Sequence, residues 1–201
     1  MRLVLISDTH EKHGLVSLPE GDVLVHAGDY TYTGSSKAKH KFFGWFLSQP
    51  FKHKVLIAGN HDFDEPYSPV TLGSESYYLC DSGLTIDGFR FWGSPWTPKF
   101  GDWEFMYARG TDRWKTIPEG TDVLVTHGPP ESILDKPFGI NPSVGCKDLA
   151  DRVFHIKPKV HVFGHIHGSY GVKDFNGTTF VNASSVNESY KIQNSPVVVD
   201  L

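Results

Sequence analysis

The sequence predicts an α/β fold, a sandwich of mixed β-sheets with helices on the outside. Five short apolar, β-branched runs each end abruptly in a polar cluster, the pattern of strands buried on both faces. Two stretches between them have helical spacing, and two later segments carry tight-turn signals between apolar runs. Helix-linked strands joined to hairpins stack into sheets with helices outside.

In order along the chain, "LVLISDTH" (3–10) and "DVLVHAGD" (22–29) are the first two strands. A helix is expected over 36–48, "SKAKHKFFGWFLS", where Phe42 meets Phe46 and Phe43 meets Leu47 on neighbouring turns despite Gly44. "KVLIAGNHD" (54–62) is the third strand, and "LTIDGFRFWG" (84–93) folds back at Asp87–Gly88. "DVLVTHGPP" (122–130) follows, with Pro129 and Pro130 as a rigid turn. "CKDLADRVFHI" (146–156) is a second helix with Leu149, Val153 and Ile156 on one face. "KVHVFGHIHG" (159–168) is the fifth buried strand; "DFNGTTFVN" (174–182) is a hairpin turning at Asn176–Gly177, and "PVVVDL" ends the chain as a strand. No repeat, low-complexity segment or Pro/Ser/Gly linker divides the sequence, so residues 1–201 are expected to form one domain.

Of the 201 residues, 39% are hydrophobic and 21% charged, which allows a sizeable core and argues against disorder. A formal charge of −4 and the lack of any Lys/Arg run argue against gripping long nucleic acid. The opening "MRLVLISDTH" is too short an apolar stretch for a signal peptide, and no run approaches the roughly 18 apolar residues of a membrane span. Cys80 and Cys146 are far apart and read as free thiols in a reducing compartment. The expectation is a cytoplasmic protein with a small-molecule partner and no membrane.

Eight groups stand at the ends of the five strands: Asp8, His10, Asp29, Asn60, His61, His127, His165 and His167. In open α/β sheets ligands bind in the crevice outside the carboxyl ends of strands. Five of the 11 histidines are in this set. Crowded neutral imidazoles gain little from one another and protonated ones repel, whereas a divalent cation binds neutral His nitrogen and carboxylate oxygen together. So many donors exceed the needs of one ion. Two ions about 3.5–4 Å apart, sharing a carboxylate, can each bind a phosphoester oxygen and hold a hydroxide for in-line attack. Nitrogen and oxygen donors without thiolate suit Mn, Fe, Co, Ni or Zn.

Asp-x-His (Asp8, His10), Gly-Asp (Gly28, Asp29), Gly-Asn-His-Asp (Gly59 to Asp62), His-Gly (His127, Gly128) and Gly-His-x-His (Gly164 to His167) occur in that order. The combination resembles the calcineurin-like metallophosphoesterase superfamily. "GFRFWGSPWTP", "IPEGTDVLVTHGPP" and "PKVHVFGHIHGSYG" are similar to its branch of metallophosphoesterase-domain-containing brain proteins, which is in turn similar to class III cyclic-nucleotide phosphodiesterases. The resemblance implies a four-layer sandwich of two mixed β-sheets flanked by helices, and two divalent transition ions (Mn, Fe or Zn, with Mn favoured). It implies that Asp8, His10 and His167 hold one ion, that Asn60, His127 and His165 hold the other, and that Asp29 bridges. His61 would be the catalytic acid rather than a ligand, and Asn60 with His61 would face a small phosphoester or nucleotide. Small phosphodiesters are the implied substrates, with cyclic nucleotides favoured. A phosphomonoesterase or nuclease-like activity of the same site and a non-catalytic nucleotide-binding scaffold are the alternatives.

One stretch departs from the family's pattern. Many members extend the second motif to Gly-Asp-x-x-Asp-Arg-Gly, where this chain has "GDYTYTG" (28–34). The second Asp and the phosphate-gripping Arg are absent, which weakens a protein-phosphatase reading. The group orienting His61 is left open, with Asp62 and Asp64 near it in sequence. Arg109 could grip phosphate instead, or form a surface salt bridge.

Blander roles are expected elsewhere. His26 and His161 lie inside apolar strands and read as hydrogen-bonded core histidines, while His13, His40, His53 and His155 read as solvated or helix-surface residues. Asp22 and Asp122 precede strands and should satisfy backbone amides. "WGSPWTPKFGDWEF" (92–105) is either a packed aromatic loop or a wall on which a base stacks.

Overall fold

The computed structural model describes residues 1–63, 65–137, 139 and 142–201. In chain order the strands are β1 (Arg2–Ile6), β2 (Val23–His26), β3 (His53–Leu56), β4 (Val70–Gly73), β5 (Ser76–Tyr78), β6 (Ser82–Ile86), β7 (Phe89–Ser94), β8 (Thr97–Pro98), β9 (Met106–Tyr107), β10 (Val123–Thr126), β11 (Val160–Phe163), β12 (Gly171–Phe175), β13 (Thr178–Asn182) and β14 (Val197–Asp200). The α-helices are α1 (Ser36–Ser48) and α2 (Lys147–Ile156). Both helices and both hairpins fall where the spacing and turns place them. Strands β4 and β5 and the short pair β8–β9 are additions that no clean alternation announces.

Two six-stranded sheets form, ordered β14-β1-β2-β3-β5-β4 and β12-β13-β11-β10-β7-β6. In each, four central strands run parallel and one antiparallel strand closes each edge. Alternation along the strands explains why they read as unbroken apolar runs. Leu3, Leu5, Val23 and Val25 pack between the sheets with Val123, Val125, Val160 and Val162. Val4, Ile6 and Leu24 face α1 instead, and Leu124, Phe163 and Phe180 face α2. Four layers result, helix on sheet on sheet on helix, as the resemblance implies.

Helix α1 starts at Ser35, whose hydroxyl accepts the Ala38 amide, and buries Ala38, Phe42 and Phe46 at four-residue spacing. Helix α2 starts at Cys146, whose sulfur takes the same capping position toward Leu149. Cys80 and Cys146 are both buried free thiols. Beneath α1, the Phe42 ring stacks on Tyr30 at 4.2 Å, directly after Asp29.

The core histidines behave as expected. His26 Nε2 lies 3.0 Å from Thr9 Oγ1, and His161 Nε2 lies 2.8 Å from Thr126 Oγ1. Burial pushes both down to about 3, so both remain neutral. Asp22 and Asp122 accept the amides of Arg2 and Arg90. Two expectations are corrected. His13 is buried, because a short 3-10 turn tucks its ring against Phe42 and Trp45. His53 is buried as the first residue of β3, where its Nδ1 lies 2.9 Å from a Glu75 carboxylate oxygen. His40 and His155 are on the surface.

Phe42→Ala removes a fully buried ring that joins α1 to the sheet. It should lower unfolding stability by about 3–5 kcal/mol. Denaturant titration checks this, and a loss under about 1 kcal/mol would show that the helix layer contributes little.

Candidate metal centre

The carboxyl ends of β1, β2 and β3 in one sheet and of β10 and β11 in the other open onto the same edge. A parallel bridge between Ser7 and Ser184 joins the two sheets there. All eight groups singled out from the sequence converge at this seam. Among the described residues, three sets of donor atoms lie within 4.8 Å of one another: Asp8, His10 and His167; Asp29, His127 and His165; and His10, Asp29 and His61. Asn60 joins the second, its Oδ1 being 3.0 Å from His127 Nε2.

Asp29 lies between the sets. Its Oδ2 is 3.2 Å from His127 Nε2 and 3.8 Å from His10 Nε2, while Oδ1 accepts the His61 amide at 2.9 Å. On the first side, His10 Nε2 is 3.4 Å from His167 Nε2, and the latter is 3.6 Å from Asp8 Oδ1. The Asp8 carboxylate also accepts the His165 amide.

Main-chain carbonyls set three of the imidazoles. His10 Nδ1–H donates to Thr31, His127 Nδ1–H to Ala27 and His61 Nδ1–H to Tyr32, at 3.1, 2.9 and 2.9 Å. A carbonyl can only accept, so Nδ1 carries the hydrogen in each ring and Nε2 is the nitrogen left for the cluster, the usual outer-shell arrangement of metal-binding histidines. The orienting partner of His61 is therefore a backbone oxygen, supplied by the residue of "GDYTYTG" that occupies the place of the missing second Asp.

Asp62 does a different job. Its two oxygens accept the amides of Asp29, Tyr30, Thr31 and Gly59 and the Thr31 hydroxyl, clamping two strand-end loops together. Burial, then the charge of Asp29, push this carboxyl up to about 8 against those hydrogen bonds. Asp64 lies outside the described residues.

Several of these groups carry strained backbone. Asp8, His10, Asp29 and His165 have φ of 50°, 39°, 56° and 67°, the left-handed region that non-glycine residues avoid. Close approach also demands glycine. A Cβ on Gly59 would lie 2.2 Å from Asp29 Oδ1 and 2.6 Å from His127 Cε1, and one on Gly164 would lie 2.0 Å from Asp8 Oδ2.

The charges suit cations. Burial drives His10 down to about 4 and His165 down to about 3, leaving neutral nitrogen donors. Burial also opposes charge on His127, yet Asp29 carries it up to about 9. Burial works against ionised Asp8 and Asp29 as well, but His167 and His127 hold them below the usual carboxylate range. The set balances its carboxylates with protons on neighbouring imidazoles. Divalent cations would replace those protons and find neutral nitrogen, ionised oxygen and an amide oxygen in place. The donor set fits a pair of them.

A cavity of about 300 Å³ opens over these groups. Of the aromatic loop, Trp96 packs on Phe105 beneath Arg113, whereas Trp103 covers His61 at 4.3 Å and Phe100 leans on His165 at 5.1 Å. Tyr190, with nothing in its local sequence to mark it, reaches over His10 and His167 at 4.8 and 5.2 Å. Arg109 is not among the clustered groups, because its guanidinium donates to the carbonyls of Val144 and Gly145. Among the described residues no helix is long and apolar enough to cross a membrane.

The profile of the calcineurin-like phosphoesterase family matches residues 1–169. A human protein called metallophosphoesterase domain-containing protein 1 is 41% identical over all of this chain and 71% of its own length. A Caenorhabditis elegans UPF0046 protein is 40% identical over 98% of this chain and 74% of its own. A phosphopantetheinyl hydrolase from Mycobacterium tuberculosis superposes with a TM-score of 0.59 at 15% identity, covering 94% of this chain and 90% of that one. TT1561 of Thermus thermophilus does so with a TM-score of 0.59 at 12% identity, covering 90% and 88%. At such identities these two likenesses concern the fold.

Gly59→Ala should leave the far-ultraviolet circular dichroism unchanged while displacing Asp29 and His127. Metal affinity, read by competition with a chelating dye, is expected to fall about 10–100-fold, the range for disturbed supporting groups. Unchanged affinity would mean that this close approach does not hold the site.

Proposed function

This chain belongs to the calcineurin-like phosphoesterase family, and we propose that it is a metal-dependent phosphodiesterase acting on small phosphodiesters. One observation favours a diester over a monoester. The described residues lining the cavity include Glu188 but no Lys or Arg. A monoester dianion brings one more negative charge than a diester and would want a side-chain cation here. Protein phosphatases of this family supply one from the motif that is "GDYTYTG" in this chain. Cyclic nucleotides are the diesters to which the family resemblance points.

Asp8, His10 and His167 would hold one divalent ion, Asn60, His127 and His165 the other, and Asp29 both, with Mn the first choice for a site of nitrogen and oxygen donors. Such ions supply charge neutralisation at the phosphoryl oxygens and activation of the attacking water. The chain's own residues do the rest. Trp103 and Phe100 stand against His61 and His165 at the two sides of the cavity. His61, fixed through Nδ1 by the Tyr32 carbonyl and capped by Trp103, keeps Nε2 for the cavity. Protonated there, it gives its proton to the departing ester oxygen while Nδ1–H stays on the carbonyl.

His61→Ala discriminates this role from that of a ligand. An alkoxide leaving group such as a ribose oxygen needs the proton, whereas nitrophenolate hardly does. The variant should keep its metals and lose about 10²–10⁴-fold in kcat on nucleotide diesters, with a far smaller loss on nitrophenyl diesters. Equal losses on both substrates would remove the acid role, and loss of metal would make His61 a ligand.

A further inference from the structure

A second cavity, of about 470 Å³, adjoins the one over the donor cluster and shares Phe100, His165 and Ile166 with it. Its own walls are Pro98, Pro129 and Val144, with Gly128 and Gly145 between. Arg109, the one Lys or Arg among its described lining residues, is engaged by the main chain, donating to the carbonyls of Val144 and Gly145 at 2.9 Å each. That brace holds the far wall and leaves a chamber faced largely by carbon.

Apart from the three shared residues, the two chambers are lined by different parts of the chain. One lies toward His61, Trp103 and Tyr190, the other beyond Phe100 on the His165 side. A phosphorus atom held at Asp29 and Asn60 would stand in the first chamber, which also has His165, the donor whose side chain lines both chambers. A phosphomonoester has one organic group and fills one chamber. A cyclic nucleotide has both ester oxygens on a single ribose, so its organic part also occupies one. Only an acyclic diester presents two separate groups on opposite sides of phosphorus. The carbon-faced walls of the second chamber suit an aromatic or alkyl group rather than a charged one.

Building on the phosphodiesterase reading, we infer that the cleft is two-armed and that its substrates are acyclic phosphodiesters whose second, apolar ester group is seated between Phe100 and Val144. The inference narrows the substrate class away from cyclic nucleotides. It gives Arg109 a positioning role, bracing the wall of that arm, in place of a grip on phosphate.

The test is a binding comparison on the Mn-loaded protein, between diphenyl phosphate and methyl phenyl phosphate, by calorimetry at early times. Burying the second ring should make diphenyl phosphate bind about tenfold tighter or more. Val144→Trp fills the chamber, and Ser143→Trp fills it from the same lip should the first variant fold poorly. In either, with circular dichroism and metal content as in the parent, the affinity ratio should collapse to about one. Equal affinities in the parent protein, or a ratio that survives both fills, would overturn the second arm. Turnover of methyl p-nitrophenyl phosphate reports the phosphodiesterase reading by itself. Turnover with equal affinities removes only the second arm. A binding preference without turnover of any diester keeps the arm and removes the hydrolase.

Discussion

The Asp29 carboxylate is buried where two sheets meet, and an ion in that position has to be stabilised by everything around it. An uncompensated buried charge costs several kcal/mol even after relaxation. Here compensation comes from both sheets at once. The His61 amide reaches Oδ1, and His127 from one sheet and His10 from the other approach Oδ2. The sandwich thus brings one anion between two sets of imidazoles, which is the requirement for holding two cations close together.

The geometry that follows is strained, and the strain is contained. Asp8, His10, Asp29 and His165 adopt left-handed backbone beyond strands whose last four residues are all buried. The strands supply rigidity, and Asp62 supplies the clamp that keeps the Asp29 and Gly59 loops in register. Such conformations persist only where the surroundings over-determine them. The Ser7–Ser184 bridge and the His127–Ala27 hydrogen bond tie the sheets together across the site. The dimensions of the centre are therefore set by the packing of the sandwich.

Much of this was legible in the sequence, for a physical reason. Donors such as Asp8, His127 and His165 follow apolar runs that can only be buried strands, so residue type and position point to one edge. Helices 36–48 and 146–156 have strong four-residue spacing, and Asp87–Gly88 and Asn176–Gly177 mark their hairpins. What stayed hidden depends on groups without a side-chain signature or on contacts between distant segments. The Tyr32 carbonyl that orients His61 is main chain, which no motif records. Asp62 is visible in the sequence but its role is not, because its partners are backbone amides 31 to 33 residues away in one loop and three residues away in another. Tyr190 comes from a C-terminal turn with no pattern of its own. The burial of His13 and His53 arises from a 3-10 turn under α1 and from a short central strand, neither of which their local sequence marks. The second chamber is assembled from residues near 98, 128, 144 and 166, which only the tertiary structure brings together.

The claim on which the rest depends is that one carboxylate serves two cations, and metal stoichiometry tests it most directly. Elemental analysis and titration of the metal-stripped protein with Mn should give two equivalents per chain. In Asp29→Asn both equivalents should weaken together, by about 10–100-fold or more if the carboxylate is shared, whereas His10→Ala should weaken only one. An Asp29→Asn protein that still binds two equivalents with parental affinity, or that loses only one, would contradict the shared carboxylate.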